Sequence, residues 1–366
     1  MSVTAPPAGS IDPSGSSETG NAGLNRPRNW SWAHYLALAA VPILALEAWT
    51  IASWLAAGPS QITEFRTGER GKEWWGARGF EAFAIALSVY VLARLIADCR
   101  RRGRVMTFDV IFCLACATLF WANAGNNFFM PMFTISSEFV NLNDPCGSNP
   151  LVVNPDCGRF ANPIIFLGLF EAFGLLGCAM LLGTLARKCQ QRWPRLTRPQ
   201  IFSIVSLGGC ALVIGEPLVL LPLHLWTFPA TPMSVTIGGD GFRYPLPEIL
   251  VFGLWISTIA CVRIFKDDQD RTLVERGLER YGRRTSTIIS LLAMYAIVQL
   301  ATWAQSTAPM WILGFHQHAW PALPAHVQNG LCDSPGTAGT RYGPCPGTPG
   351  YRMPIKGATS LPGESP

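Results

Sequence analysis

"LVIGEPLVLLPLHLW", from Leu212 to Trp226, places a carboxylate, Glu216, and a helix-disturbing proline, Pro217, inside an apolar run that begins near Ile201. A run of about 20 apolar residues is what a helix needs to cross the ~30 Å hydrocarbon layer of a bilayer. Six further runs of that kind flank it, so the spans fall at about 33–57, 80–97, 108–128, 164–186, 200–222, 246–265 and 286–306. Of the 366 residues, 49% are hydrophobic and 14% charged, against about a quarter charged in soluble domains. Mean hydropathy is +0.26. These values predict an all-α polytopic protein, a bundle of seven transmembrane helices in the cell (cytoplasmic) membrane. The formal charge of +5 does not point to nucleic acid, because the basic residues cluster in short connections between spans.

Those clusters set the orientation. "CRRRGR" (99–104), "RKCQQRWPRLTR" (187–198) and the 263–284 segment fall on one side and carry 16 Lys and Arg, against nine in the other connections and the C-terminal tail. The richer side is cytoplasmic by the positive-inside rule, which puts the N-terminus inside and the C-terminus outside. Residues 1–30, rich in Ser, Gly and Pro and without an apolar core, are expected to be a disordered tail with no cleavable signal. Residues 31–310 form the bundle, and 311–366 an extracytoplasmic Pro/Gly-rich tail. Four of the 11 cysteines, Cys146, Cys157, Cys332 and Cys345, fall on the outer side, where disulfides persist. Cys146–Cys157 and Cys332–Cys345 is the simplest of three connectivities. "CLAC" (113–116) has a redox spacing but lies inside a span, where it fills a helix contact.

Glu216 has company. At ~1.5 Å rise per residue, Glu216 lies about 22 Å above the inner edge of its span and Glu47 about 21 Å, while Glu171 lies about 12 Å below the outer edge of the fourth. Three helices thus set carboxylates at nearly one level in the outer half. Asn123, Asn126 and Asn127 in "WANAGNNFF", Glu81 and Glu248 at the outer ends of the second and sixth spans, and Gln299 join them. A charge in mid-bilayer costs about 2.5–3.5 kcal/mol on insertion scales, so these groups are expected to turn inward around one pocket. Gathered carboxyl groups supply a proton donor and a proton acceptor, the requirement of general acid–base chemistry. Pro217 kinks the fifth helix beside Glu216. Taken singly, each acid also fits a structural helix contact.

Other signals are weaker. "HQH" (316–318) has metal-like spacing without acid or thiol ligands beside it, so no metal site is expected. "KDDQDRTLVERG" (266–277) reads as a solvated helix start capped by Asp270 or Thr272. No phosphate loop, dinucleotide fingerprint or nucleophile elbow is present.

Several blocks in order resemble the AveC-like membrane proteins, the family of the avermectin spirocyclase. They are "FWANAGNNFFMPMFTISSEFVNLNDPCGS" (120–148), "EPLVLLP" with "WTFPATP" (216–232), "GGDGFRYPLPEILVFG" (238–253), "RIFKDDQDRTLVERG" (263–277) and "NGLCDSPGTAGTRYGPCPG" (329–347). The resemblance covers about residues 33–347. It implies spiroketal formation, with an associated dehydration in the namesake, on an amphiphilic polyketide-like substrate. That chemistry needs no cofactor.

On that reading Glu216 and Glu171 are the expected acid–base pair, tuned by Glu47. The substrate-binding set is then Asn123, Asn126, Asn127, Glu81, Glu248, Gln299 and, inside the resembling blocks, Trp226 and Tyr244. The expected partners are the lipid bilayer and the small-molecule substrate. Two other classes fit intramembrane acids, a proton-coupled transporter and a non-catalytic membrane partner of a biosynthetic enzyme. The lack of a two-fold internal repeat and the one-sided placement of the acids favour the enzyme.

Overall fold

A computed structural model of the chain describes residues 30–239, 241–333 and 343–352, apart from the side chains at 123 and 124. The expected N-terminal tail lies almost wholly outside the described residues. The chain is mostly helical, with seven helices long and apolar enough to cross a membrane: α1 (Trp32–Ala57), α2 (Lys72–Arg102), α3 (Phe108–Asn127), α4 (Phe166–Arg192), α5 (Arg198–Val219), α6 (Pro247–Ile264) and α7 (Arg283–Gly314). This is a multi-pass membrane protein. The outward faces of α1, α2 and α5 carry exposed Leu, Val, Ile and Trp, as a lipid-facing surface requires.

Local chemistry sets the helix ends. The Thr107 hydroxyl accepts from Val110 N–H and starts α3. Gly103, at φ +61°, closes α2, with Arg104 N–H donating to Cys99 O. Pro217 removes a donor from α5, yet Leu220 N–H still donates to Glu216 O at 2.8 Å, so the helix carries through the proline. The "KDDQDRTLVERG" segment does not begin a helix. Asp267 accepts from the backbone N–H groups of Gln269 and Arg271 and pairs with the Arg271 and Arg276 side chains, which folds the segment into turns. Thr272 caps no helix: its N–H and its hydroxyl both donate to the Glu275 carboxylate within a turn, and α7 begins only at Arg283.

Helix α5 meets α6 backbone to backbone. A Cβ added at Gly253 would stand 2.7 Å from Cys210 N, and one at Gly209 would stand 2.5 Å from Gly253 O. Small residues at such a crossing are how membrane helices gain packing contact. Below this level a core including Phe112, Leu176, Leu182, Ile259 and Met294 joins α3, α4, α6 and α7.

Above it the connections fold into a layer that hydropathy does not announce. Among the described residues six short strands pair antiparallel: β1 (Thr134–Ile135) with β4 (Trp226–Thr227), β2 (Asn141–Asn143) with β3 (Ala161–Pro163), and β5 (Ser234–Thr236) with β6 (Arg243–Pro245). Chain beyond α7 packs back into this layer, burying Trp320, Val327 and Leu331. Asn329 ties it down by donating to Ile135 O and accepting from Ala161 N–H.

Two disulfides, Cys146–Cys157 and Cys332–Cys345, lie in the same layer, with Cα separations of 5.6 and 4.6 Å. Cys113 and Cys116 are free and buried in the core. With the basic ends inside, an impermeant thiol reagent is expected to label Cys332 or Cys345 only after reduction and only from the extracytoplasmic side. Labelling from the cytoplasm would reverse the orientation.

Candidate active site

The Glu216-Pro217 step sits where α5 ends beneath the outer layer, and its carboxyl belongs to a cluster. Glu248, in the first turn of α6, is 2% exposed and close enough for its charge to act on Glu216. Tyr244, on β6, brings its hydroxyl within electrostatic reach of both. Tyr244 is fully buried, and burial, then the charges of Glu248 and Glu216, hold its phenol well above the usual tyrosine range. Tyr244 Oη and Glu248 Oε2 are buried with no well-formed hydrogen bond among the described residues. The phenol and the carboxyl face each other and act on one another as hydrogen-bonding neighbours, so together they offer a donor and an acceptor to an incoming hydroxyl.

Helical geometry shows how that place opens. On α5, Leu212 and Val219 are exposed, while Val213, Pro217 and Leu220 are buried. Residues three and four apart share a face, so Glu216 stands on the seam between the lipid-facing stripe and the packed face. Leu212 at 36% and Val219 at 46% exposure flank it on the bilayer side.

Glu171 belongs to a second acidic pair. It lies in a wide π turn, Phe170–Gly174, within α4; such turns interrupt α-helices and recur at functional sites. Its Oε2 is buried without a partner, and its charged neighbour is Asp144, in the loop ahead of the first disulfide. Asp144 accepts from Cys146 N–H at 2.8 Å. Burial pushes its carboxyl up to about 7, against the opposing pull of that hydrogen bond. Asn162 and Asn127 line a small cavity beside Asp144, and Asn162 Oδ1 is another buried orphan. Between the two acidic pairs runs an aromatic wall: Phe166 contacts Phe139 and Trp226, Trp226 contacts Phe133, and Phe228 contacts both Phe133 and Tyr244.

A raised carboxyl favours the folded state while it stays protonated. The contribution of Asp144 is therefore full below its ordinary value of 3.8 and is lost as pH rises through about 7. Asp144→Asn keeps the cap to Cys146 N–H and cannot ionise. Its melting temperature is expected to match the parent's below about pH 4 and to exceed it increasingly up to pH 8, by at most about 4 kcal/mol in stability terms. A constant difference across that range would remove Asp144 as the cause.

The other expected site residues are placed as follows. Glu47 accepts from the Tyr295 hydroxyl at 2.6 Å across the α1–α7 seam, ten residues from the outer end of α1, whereas Glu216 is three from that of α5. It meets a phenol rather than another acid. Glu81 pairs with Arg78 at 3.0 Å and accepts from Val140 N–H at 2.6 Å, which pins the 138–140 loop onto α2. Both sides of the Asn127 amide are used inside its own loop, by Met132 N–H, Phe133 N–H and Phe133 O. Gln299 donates to the Thr118 hydroxyl at 2.9 Å, leaving its Oε1 buried and unpartnered. Asn126 Oδ1 and Trp226 Nε1 are likewise buried orphans. The Asn123 side chain lies outside the described residues.

The structure thus sets Glu216 with Glu248 and Glu171 with Asp144, in place of one Glu216–Glu171 pair. Asp144 and Tyr295 are absent from the sequence-based set. Asp144 reads as a loop residue before a proline, and only tertiary burial distinguishes it. Tyr295 becomes visible only once α1 and α7 are known to touch. Among the described residues, no group of three His, Cys, Asp or Glu is placed to hold a metal ion.

The family model described as Spirocyclase AveC-like matches residues 101–329, a stretch that contains both acidic pairs and the aromatic wall. No curated protein and no solved structure matches the chain. The match takes in well over half of the sequence, and the chain belongs to the AveC-like spirocyclase family.

Proposed function

We propose that the protein is a spirocyclase-type enzyme of the cytoplasmic membrane that closes a bilayer-dissolved dihydroxy-ketone, polyketide-like in character, into a spiroketal. One observation carries this reading: the half-buried Glu216 carboxyl stands with the buried Glu248 carboxyl and Tyr244 phenol at the seam between the packed and lipid-facing sides of α5. Family membership suggests the reaction class.

One hydroxyl of the substrate adds to the ketone and gives a hemiketal. The protonated member of the Glu216–Glu248 pair then donates to the hemiketal hydroxyl, which leaves as water. The resulting oxocarbenium ion is stabilised by the ionised member. The second hydroxyl attacks that carbon, and its proton passes to the ionised carboxylate. The net change is loss of one water, and the pair ends with its proton exchanged between partners, ready for another turn. Tyr244 orients the reacting oxygens through its hydroxyl. The aromatic wall fixes which face of the cation is open and so the configuration of the product. Glu171 and Asp144, beyond the wall, bind polar groups along the remainder of the substrate.

The reading is tested by incubating membranes containing the protein with a synthetic dihydroxy-ketone and following products by mass spectrometry and chiral chromatography. Loss of one water with a single predominant configuration is the expected result. Racemic product at the rate of empty membranes would overturn it. Proton-coupled uptake of the same compound into sealed vesicles, without conversion, would make the protein a transporter.

A further inference from the structure

The inner ends of the helices carry many arginines, and several are already neutralised. Arg101 and Arg102 pair with Asp98, Arg263 with Asp109, and Arg271 and Arg276 with Asp267. Four are not. Arg100 and Arg104, around the end of α2, and Arg283 and Arg284, opening α7, are exposed and have no side-chain partner among the described residues. These two segments, far apart in sequence, line one groove of about 810 Å³ that no carboxylate enters.

The groove has two characters. Its lining includes four arginines, while Val105 and Ile288, at 72% and 57% exposure, give it an apolar side. The left-handed turn at Gly103 reverses the chain so that Arg104 and Val105 follow Arg100 back toward α7. At the other wall, α7 follows Gly282, with no side-chain cap and no acid in its first turn. Its first N–H groups, which no helix carbonyl can satisfy, add the positive end of the helix dipole to the same place. An isolated anion would need only the charges; an apolar surface beside them fits a ligand with hydrocarbon attached.

We propose that this groove binds an anionic phospholipid of the inner leaflet, its phosphate held by Arg100, Arg104, Arg283 and Arg284 and an acyl chain lying against Val105 and Ile288. The site is independent of the outer carboxylates and of the reaction assigned to them. Bound there, the lipid ties the end of α2 to the start of α7.

Native mass spectrometry of the full-length protein, extracted in detergent and mixed with equimolar phosphatidylglycerol and phosphatidylcholine, tests it. The anionic lipid is expected to be retained at least about tenfold over the zwitterionic one. R104Q/R283Q/R284Q is expected to abolish the preference, and R101Q, which removes a paired arginine, to leave it intact. R284Q alone, a single exposed change that keeps the fold if the triple variant does not, should lower the preference several-fold. Equal retention of both lipids, or an unchanged preference in R284Q and in the triple variant, would overturn the proposal. So would displacement of the lipid by inorganic phosphate, which would make the groove a site for soluble anions.

Discussion

Glu216→Gln is expected to lower cyclisation by about 100-fold to 10,000-fold, the range attached to one general acid or base, while the protein still extracts and melts like its parent. Glutamine keeps the shape and the hydrogen-bonding amide but can neither give up nor take a proton at this position. Because Glu248 is within electrostatic reach of Glu216, Glu248→Gln should cause a loss of similar size. The double variant should be little worse than either single one, since residues acting as a unit are non-additive. Tyr244→Phe removes only an orienting hydroxyl and is expected to cause a smaller loss, with more of the minor product configuration. Glu47→Gln supplies the contrast: its partner is Tyr295 on the other side of the bundle, and turnover should stay within a few-fold of the parent. Full activity in Glu216→Gln would end the acid–base assignment.

Gly253→Ala is expected to destabilise the protein by about 1–3 kcal/mol, the usual effect of overpacking, and to lower activity as well. The added methyl would stand 2.7 Å from Cys210 N and 2.8 Å from Cys210 Cα, both backbone atoms that no rotamer change can move aside. Only separation of α5 from α6 relieves the clash. Those two helices carry Glu216 and Glu248, so one packing change two turns away reaches the carboxyl pair. Gly215→Ala is the matched control, since a Cβ there meets nothing within 4 Å. Equal stability of the two variants would show that the α5–α6 contact is looser than its geometry.

The helical half of the molecule was legible because bilayer thickness converts directly into run length. The number of spans and both cysteine pairings could be written from the chain alone, although α2 runs well past the expected 80–97 at both ends and α7 past 306. The outer layer could not. Its strands are two or three residues long, and its contacts join distant loops: Trp54 Nε1 donates to Asn143 O, and the Arg66 side chain to Ser137 O and Phe139 O. No periodicity encodes such contacts. The pairing of the acids was hidden for the same reason, since depth along a helix fixes height and not rotation. Glu81 is different. Arg78 lies three residues before it on one helix face, a spacing that already favours an ion pair.

The cross-linked outer layer also dictates an order of assembly. With the orientation that the basic connections predict, Tyr244 lies on a connection that has to cross the membrane before it can fold, and both disulfides form on the oxidising side. The helices can therefore insert and associate while the carboxyl pair still lacks its phenol. In a host whose oxidative machinery is disabled, the protein would accumulate as a correctly inserted bundle with an unfinished roof. Abundance in the membrane would then say nothing about competence, and the redox state of the export compartment would decide how much of the inserted protein matures.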